Sequence, residues 1–101
     1  MNVDYKFIYK DGFPTIKSNL IGNELDMLEV LSSDLNDLEN INAFLNRMKM
    51  KKVWWFNAAK VEFNDNMATI NPAFDWEGEE VKIKTCELKK IVDEWKLFIE
   101  Q

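Results

Sequence analysis

The sequence predicts an α+β fold: a single layer of antiparallel or mixed sheet, about four to five strands, packed by two to three helices that include one at the C-terminus. Three observations carry this. Several short runs alternate apolar and polar residues with a period of two, two longer stretches repeat apolar residues at spacings of three and four, and no linker, repeat or low-complexity tract interrupts the chain. At 101 residues and 47% hydrophobic, with four Trp and seven Phe, the chain reads as one domain over residues 1–101 with enough apolar mass for a core.

In chain order, Val3 to Tyr9 begins as an alternating strand with Val3, Tyr5 and Phe7 on one face, and Asp11-Gly12 signals a turn. After Pro14 the pattern is ambiguous as far as Asn23, a candidate helix cap followed by Glu24 and Asp26; Met27 to Leu31 fits either a helix or a buried strand. Leu35, Leu38, Ile41, Leu45 and Met48 predict an amphipathic helix over 34–50, capped by Ser33 and closed by Arg47 and Lys49 against the negative end of its dipole. Lys52 to Ala59 is apolar on both faces and suits a strand at the centre of the sheet. A two-residue turn at Asp65-Asn66 would set Val61 opposite Ile70 and Phe63 opposite Ala68, with Glu62 and Thr69 on the other face. Pro72 ends that strand, Gly78 marks a loop and Val81 to Lys84 alternates again. Thr85 is the expected cap of the last helix, whose stripe is Leu88, Ile91, Val92, Trp95, Phe98 and Ile99.

The chemistry of enzymes is largely missing. With no histidine the chain lacks the commonest general base and metal ligand, Ser-His and Cys-His nucleophiles are ruled out, and Cys86 with carboxylates matches no zinc ligand set. Gly12, Gly22 and Gly78 lie too far apart to cradle a phosphate. Carboxylate pairs such as Glu79-Glu80, Asp75-Glu77 or Asp93-Glu94 suit acid and base roles in principle, but nothing around them perturbs a pKa and a solvated surface explains them. Asp65-Asn66 lacks the Gly and closing Glu of a calcium loop. Cys86 falls at a helix N-terminus, which favours a thiolate, yet no second Cys is present to resolve an oxidised form. The expectation is therefore a non-enzyme without cofactor or metal. The lone cysteine, the absence of a signal peptide and apolar runs far short of the roughly 20 residues a membrane helix needs add a cytoplasmic location.

Charge is the informative pattern. The formal net charge is -5, which disfavours nucleic acid as a partner and favours a basic one, and the short apolar runs lead to the expectation of no membrane partner. Between Lys17 and Arg47 stand Glu24, Asp26, Glu29, Asp34, Asp37 and Glu39 without one cation, and between Lys60 and Lys82 stand Glu62, Asp65, Asp75, Glu77, Glu79 and Glu80. Cations cluster instead at Arg47 to Lys52 and toward the C-terminus. Such segregation builds a patch that steers a cationic protein, or simply a solvated face. Phe74 and Trp76 stand among the second set of acids, as at an interface hot spot, or fold back onto the core. The candidate partner-binding residues are thus Asp75, Trp76, Glu77, Glu79 and Glu80, then Asp34, Asp37 and Glu39. Trp54 and Trp55, as strand neighbours, face opposite ways, one into the core and the other under a helix or outward.

The segment Val81-Lys82-Ile83-Lys84-Thr85-Cys86-Glu87-Leu88-Lys89-Lys90-Ile91-Val92-Asp93-Glu94-Trp95-Lys96-Leu97-Phe98 resembles the close of many small bacterial immunity proteins, the partners of contact-dependent growth-inhibition and related polymorphic toxins. That resemblance implies tight one-to-one binding of a cognate toxin domain, often a basic nuclease, at or beside its active site. It transfers no residue by motif. The alternative expectation is a structural or regulatory subunit acting through homo-oligomerisation, and a carboxylate-pair enzyme comes third.

Overall fold

The structure, a computed structural model, describes residues 3–73 and 80–101. Its frame is a four-stranded antiparallel sheet in the order β5-β6-β7-β8. Strands β6 (Ala59–Asn64) and β7 (Met67–Pro72) form the expected hairpin, with Val61 opposite Ile70, Phe63 opposite Ala68 and Glu62 opposite Thr69. Asp65 takes a left-handed φ of 33° in the connecting turn, a conformation that Asp tolerates better than most residues. Strand β8 (Val81–Lys84) pairs with β7 and alternates buried with exposed residues, as its Val-Lys-Ile-Lys sequence requires.

The stretch Lys52 to Ala59 departs from expectation. Only Trp54–Trp55 pairs as a strand, β5, and it lies at the edge of the sheet, not its centre. Phe56 N–H donates to Ala59 O at 3.3 Å, so the chain turns back at once into β6. The aromatic run is spent on side-chain stacking: Trp54 is buried, with its ring centroid 5.5 Å from Phe44 and 5.7 Å from Phe56. Trp55 is instead 48% exposed, with the Lys60 ammonium 5.1 Å above its ring.

At the N-terminal end, β1 (Tyr5–Lys10) and β2 (Phe13–Ser18) form a separate hairpin around Asp11-Gly12. Both turn residues have positive φ, 54° and 84°, and the glycine meets that demand without steric cost. The segment that is ambiguous in sequence is thus a strand, with Pro14 opposite Tyr9. This hairpin packs through Phe7, whose ring lies 5.4 Å from both Trp95 and Phe98. Two short strands follow, β3 (Ile21–Gly22) and β4 (Leu25–Asp26). Asn23 and Glu24 between them have φ of 53° and 64°, so Asn23 belongs to a turn and caps no helix. The cap is Asp26, whose Oδ1 accepts from the N–H groups of Leu28 and Glu29 at 3.1 and 3.2 Å, and Met27 to Leu31 is helical within α1 (Met27–Asp34).

The helix expected over 34–50 is broken. Helix α1 ends at Asp34, and α2 (Leu38–Lys49) begins only after Asp37, whose carboxylate accepts from Asn40 N–H at 2.8 Å; Asp37 is the cap, not Ser33. The break is held from outside, because Trp95 Nε1 donates to Leu35 O at 2.7 Å and the Asp34 carboxylate is drawn to another loop. Helix α3 (Thr85–Glu100) buries Leu88, Ile91, Val92 and Trp95, as its stripe predicts, with Phe98 and Ile99 packed at the margin. Its N-cap is Lys84 without a side-chain hydrogen bond, and the hydroxyl of Thr85, the expected cap, is buried with no partner. One contiguous core joins the helices to Val61, Ala68, Ile70 and Ile83 on one face of the sheet.

Candidate functional site

Because strand side chains alternate, the face opposite that core carries three cross-strand rows fixed by the register. Glu80, Asn71, Lys60 and Trp55 make the first, Lys82, Thr69 and Glu62 the second, and Lys84, Met67 and Asn64 the third. Asn71 Nδ2 reaches Glu80 Oε2 at 3.5 Å, and Lys60 pairs with Glu62 at 2.7 Å.

Across this grid the molecule has two unlike ends, and α2 runs from one to the other. Its N-terminal end is tied to the first row. Asp34 is 3% exposed and its carboxylate accepts from Ala58 N–H at 3.1 Å and Ala59 N–H at 3.0 Å, while Ala73 N–H donates to Ala58 O at 3.0 Å. Burial pushes the Asp34 carboxyl above its ordinary range, and the two amides oppose that shift. Asp34 is therefore an internal clasp between α1 and the start of β6, not the surface contact its place in an acidic segment suggested. Asp37, Glu39 and Glu80 are exposed at this same end. Asp75, Trp76, Glu77 and Glu79 lie outside the described residues.

The C-terminal end of α2 is basic. Arg47, Lys49, Lys51 and Lys52 are all exposed, and none forms an ion pair among the described residues. From Asn40 to Val61 the chain holds five cations and no acid. That gap is visible in the sequence, where the cations cluster at Arg47 to Lys52 and Arg47 and Lys49 read as partners of the helix dipole. The helix stops in a paired-carbonyl closure, with Lys52 N–H donating to Arg47 O at 2.9 Å and Lys51 N–H to Met48 O at 3.2 Å. The closure requires a left-handed residue, and Lys51 supplies it with φ 57°. A groove of about 640 Å³ opens at this end, lined by Leu45 and Met48 and by Lys49, Asp65, Asn66, Thr85 and Lys89, so one exposed carboxylate, Asp65, stands among the cations. Cys86 also lines it and is exposed.

Among the described residues, no group of three or more His, Cys, Asp or Glu side chains is placed to hold a metal ion, and no helix is long and apolar enough to cross a membrane. No family model, curated protein or solved structure matches the chain.

Proposed function

We propose that this protein is a non-catalytic cytoplasmic inhibitor of the immunity-protein kind, binding one cationic toxin domain, a nuclease being the expected class, through its acidic end. The observation that carries the reading is the separation of charge: exposed Glu80, Asp37 and Glu39 stand at one end of the molecule, and Arg47, Lys49, Lys51 and Lys52, without an ion pair among the described residues, outnumber Asp65 at the other. An end of one sign orients an approaching basic protein before contact and speeds its association.

Co-expression with the product of the adjacent reading frame tests it. A basic, toxic neighbour should co-purify with this chain, and one that fails to do so sinks the proposal. Charge reversal of Glu39 and Glu80 together, which leaves the Asp37 cap in place, should slow association several-fold at low salt and leave dissociation far less changed. A second reading, self-association, draws on Trp55 and Met67, which are exposed on the helix-free sheet face. Light scattering separates the two, since a stable dimer with no other partner favours the second.

A further inference from the structure

We propose that the basic end is a second docking surface and that its partner is an anionic lipid bilayer. This goes beyond the toxin-binding reading and uses the opposite end of α2.

Four cations crowd the helix terminus and the turn that follows it: Arg47, Lys49, Lys51 and Lys52. Lys84 and Lys89 join them from β8 and α3, because Lys84 pairs with Met67 in the third row and Lys89 borders the same groove as Lys49. Only Lys89 among these six has a charged partner among the described residues, Asp93 at 2.7 Å. Interleaved with the cations are large apolar side chains that no packing explains: Met50 is 51% exposed, Val53 38% and Met67 37%. The turn also tolerates strain to keep its charge, since Lys51 occupies a left-handed position where glycine is the unstrained residue.

The chemistry of the apolar residues selects the partner. A nucleic-acid strand bound by lysines gains much of its affinity from bases stacked on aromatic rings, and the exposed side chains at this end are aliphatic or thioether. Of the exposed aromatics, Tyr9 and Phe13 belong to the N-terminal hairpin, Trp55 to the first row and Phe56 to the turn beside Ala59, the last two toward the acidic end. Lysines around short aliphatic tips match a membrane interface, where the cations meet anionic headgroups and the tips enter the acyl boundary.

The net charge of -5 does not prevent this. The molecule measures 27 Å along even its shortest axis, whereas the Debye length at physiological salt is roughly 8 Å, so a bilayer at the basic end is largely screened from the acidic one.

Co-sedimentation of the full chain with vesicles tests the proposal. Vesicles about one third phosphatidylserine should carry the protein down and neutral phosphatidylcholine vesicles should not. Lys49→Glu with Lys52→Glu should reduce partitioning about 25-fold or more, at roughly fivefold per cation, and raised salt should do the same. Met50→Ser should reduce it several-fold at constant charge. Circular dichroism of the variants confirms the fold. Absence of binding to anionic vesicles, equal binding to neutral ones, or indifference to the lysine reversals each overturns the proposal. So does a single-stranded oligonucleotide that binds through the same lysines, displaces the vesicles and is unaffected by Met50→Ser. Toxin binding is scored separately, since Glu80, Asp37 and Glu39 are untouched by these variants.

Discussion

At the N-terminal end of α2 carboxylates are built into the fold, whereas at its C-terminal end the cations stand outside it. Asp34 holds two backbone amides and Asp37 caps the helix, while Arg47, Lys49, Lys51 and Lys52 pair with no acid among the described residues. Opposite charges around the two ends of one helix thus answer to different constraints. Acids within a few residues of each other serve partly as structure and partly as surface, and only the surface ones are free to meet a partner. The cations hold no buried group; their internal duty is limited to the charge that Arg47 and Lys49 bring to the last turn of α2.

That contrast can be broken most directly at Asp34. Asp34→Ala leaves the amides of Ala58 and Ala59 without their acceptor in a buried place and should cost about 2–3 kcal/mol in urea unfolding; a cost near zero would return Asp34 to the surface set. Asp37→Ala should cost about 1 kcal/mol, the loss of one helix cap. Lys51→Gly should move stability the other way, by about 0.5–1 kcal/mol, because it relieves the left-handed strain, and the same change should weaken vesicle binding. Lys49→Glu should cost about 1 kcal/mol, because it reverses a charge in the last turn of α2, and Lys52→Glu should stay within about 0.5 kcal/mol of the unmodified protein, as an exposed cation beyond the helix should.

Acidity sharpens the comparison through two carboxyls with opposite signs. The Asp34 pKa is raised by burial, so the folded state holds its proton more tightly: its contribution is greatest at low pH and is lost as pH rises through the raised value. Glu29, held by hydrogen bonds from Lys17 and Lys10, is lowered; its contribution is present above the ordinary Glu value and is lost as pH falls through the folded one. Urea titrations across the acid range should therefore show the native chain's advantage over Asp34→Asn shrinking as pH rises. For Glu29→Gln the advantage should grow. Equal slopes for the two variants would contradict the burial of Asp34.

Much of the fold is legible because period-two alternation fixes a face. Val61, Phe63, Ala68 and Ile70 could pair in register only one way around Asp65-Asn66, and the α3 stripe names its own buried side. What escaped was decided by contacts distant in sequence. Between Ser33 and Leu38 only Asp37, a good N-cap, hints at a new helix start, and the break itself depends on Trp95 and on Ala58 and Ala59. The aromatic run at Trp54 suggested a central strand because sequence cannot distinguish burial between two layers from stacking within one edge. β2 was obscured by Pro14, a residue that a strand accepts where its N–H is not needed. For the candidate site, acid counts were readable but side-chain direction was not, which is how Asp34 stood beside Asp37 in the same expectation. The basic cluster at Arg47 to Lys52 was legible in the sequence, whereas its place at one end of the molecule was not.

The short strand at Trp54–Trp55 has a further consequence for behaviour at high concentration. An exposed border of a sheet is where copies of a chain add to one another and fibrils begin. Here one border offers two paired residues and the other, at Val81–Lys84, carries lysines at alternate positions. Neither presents a ladder of amides long enough, or neutral enough, for another copy to extend. A chain with four tryptophans and seven phenylalanines thereby keeps its stickiest segment out of self-templated growth by ending the strand almost as soon as it starts.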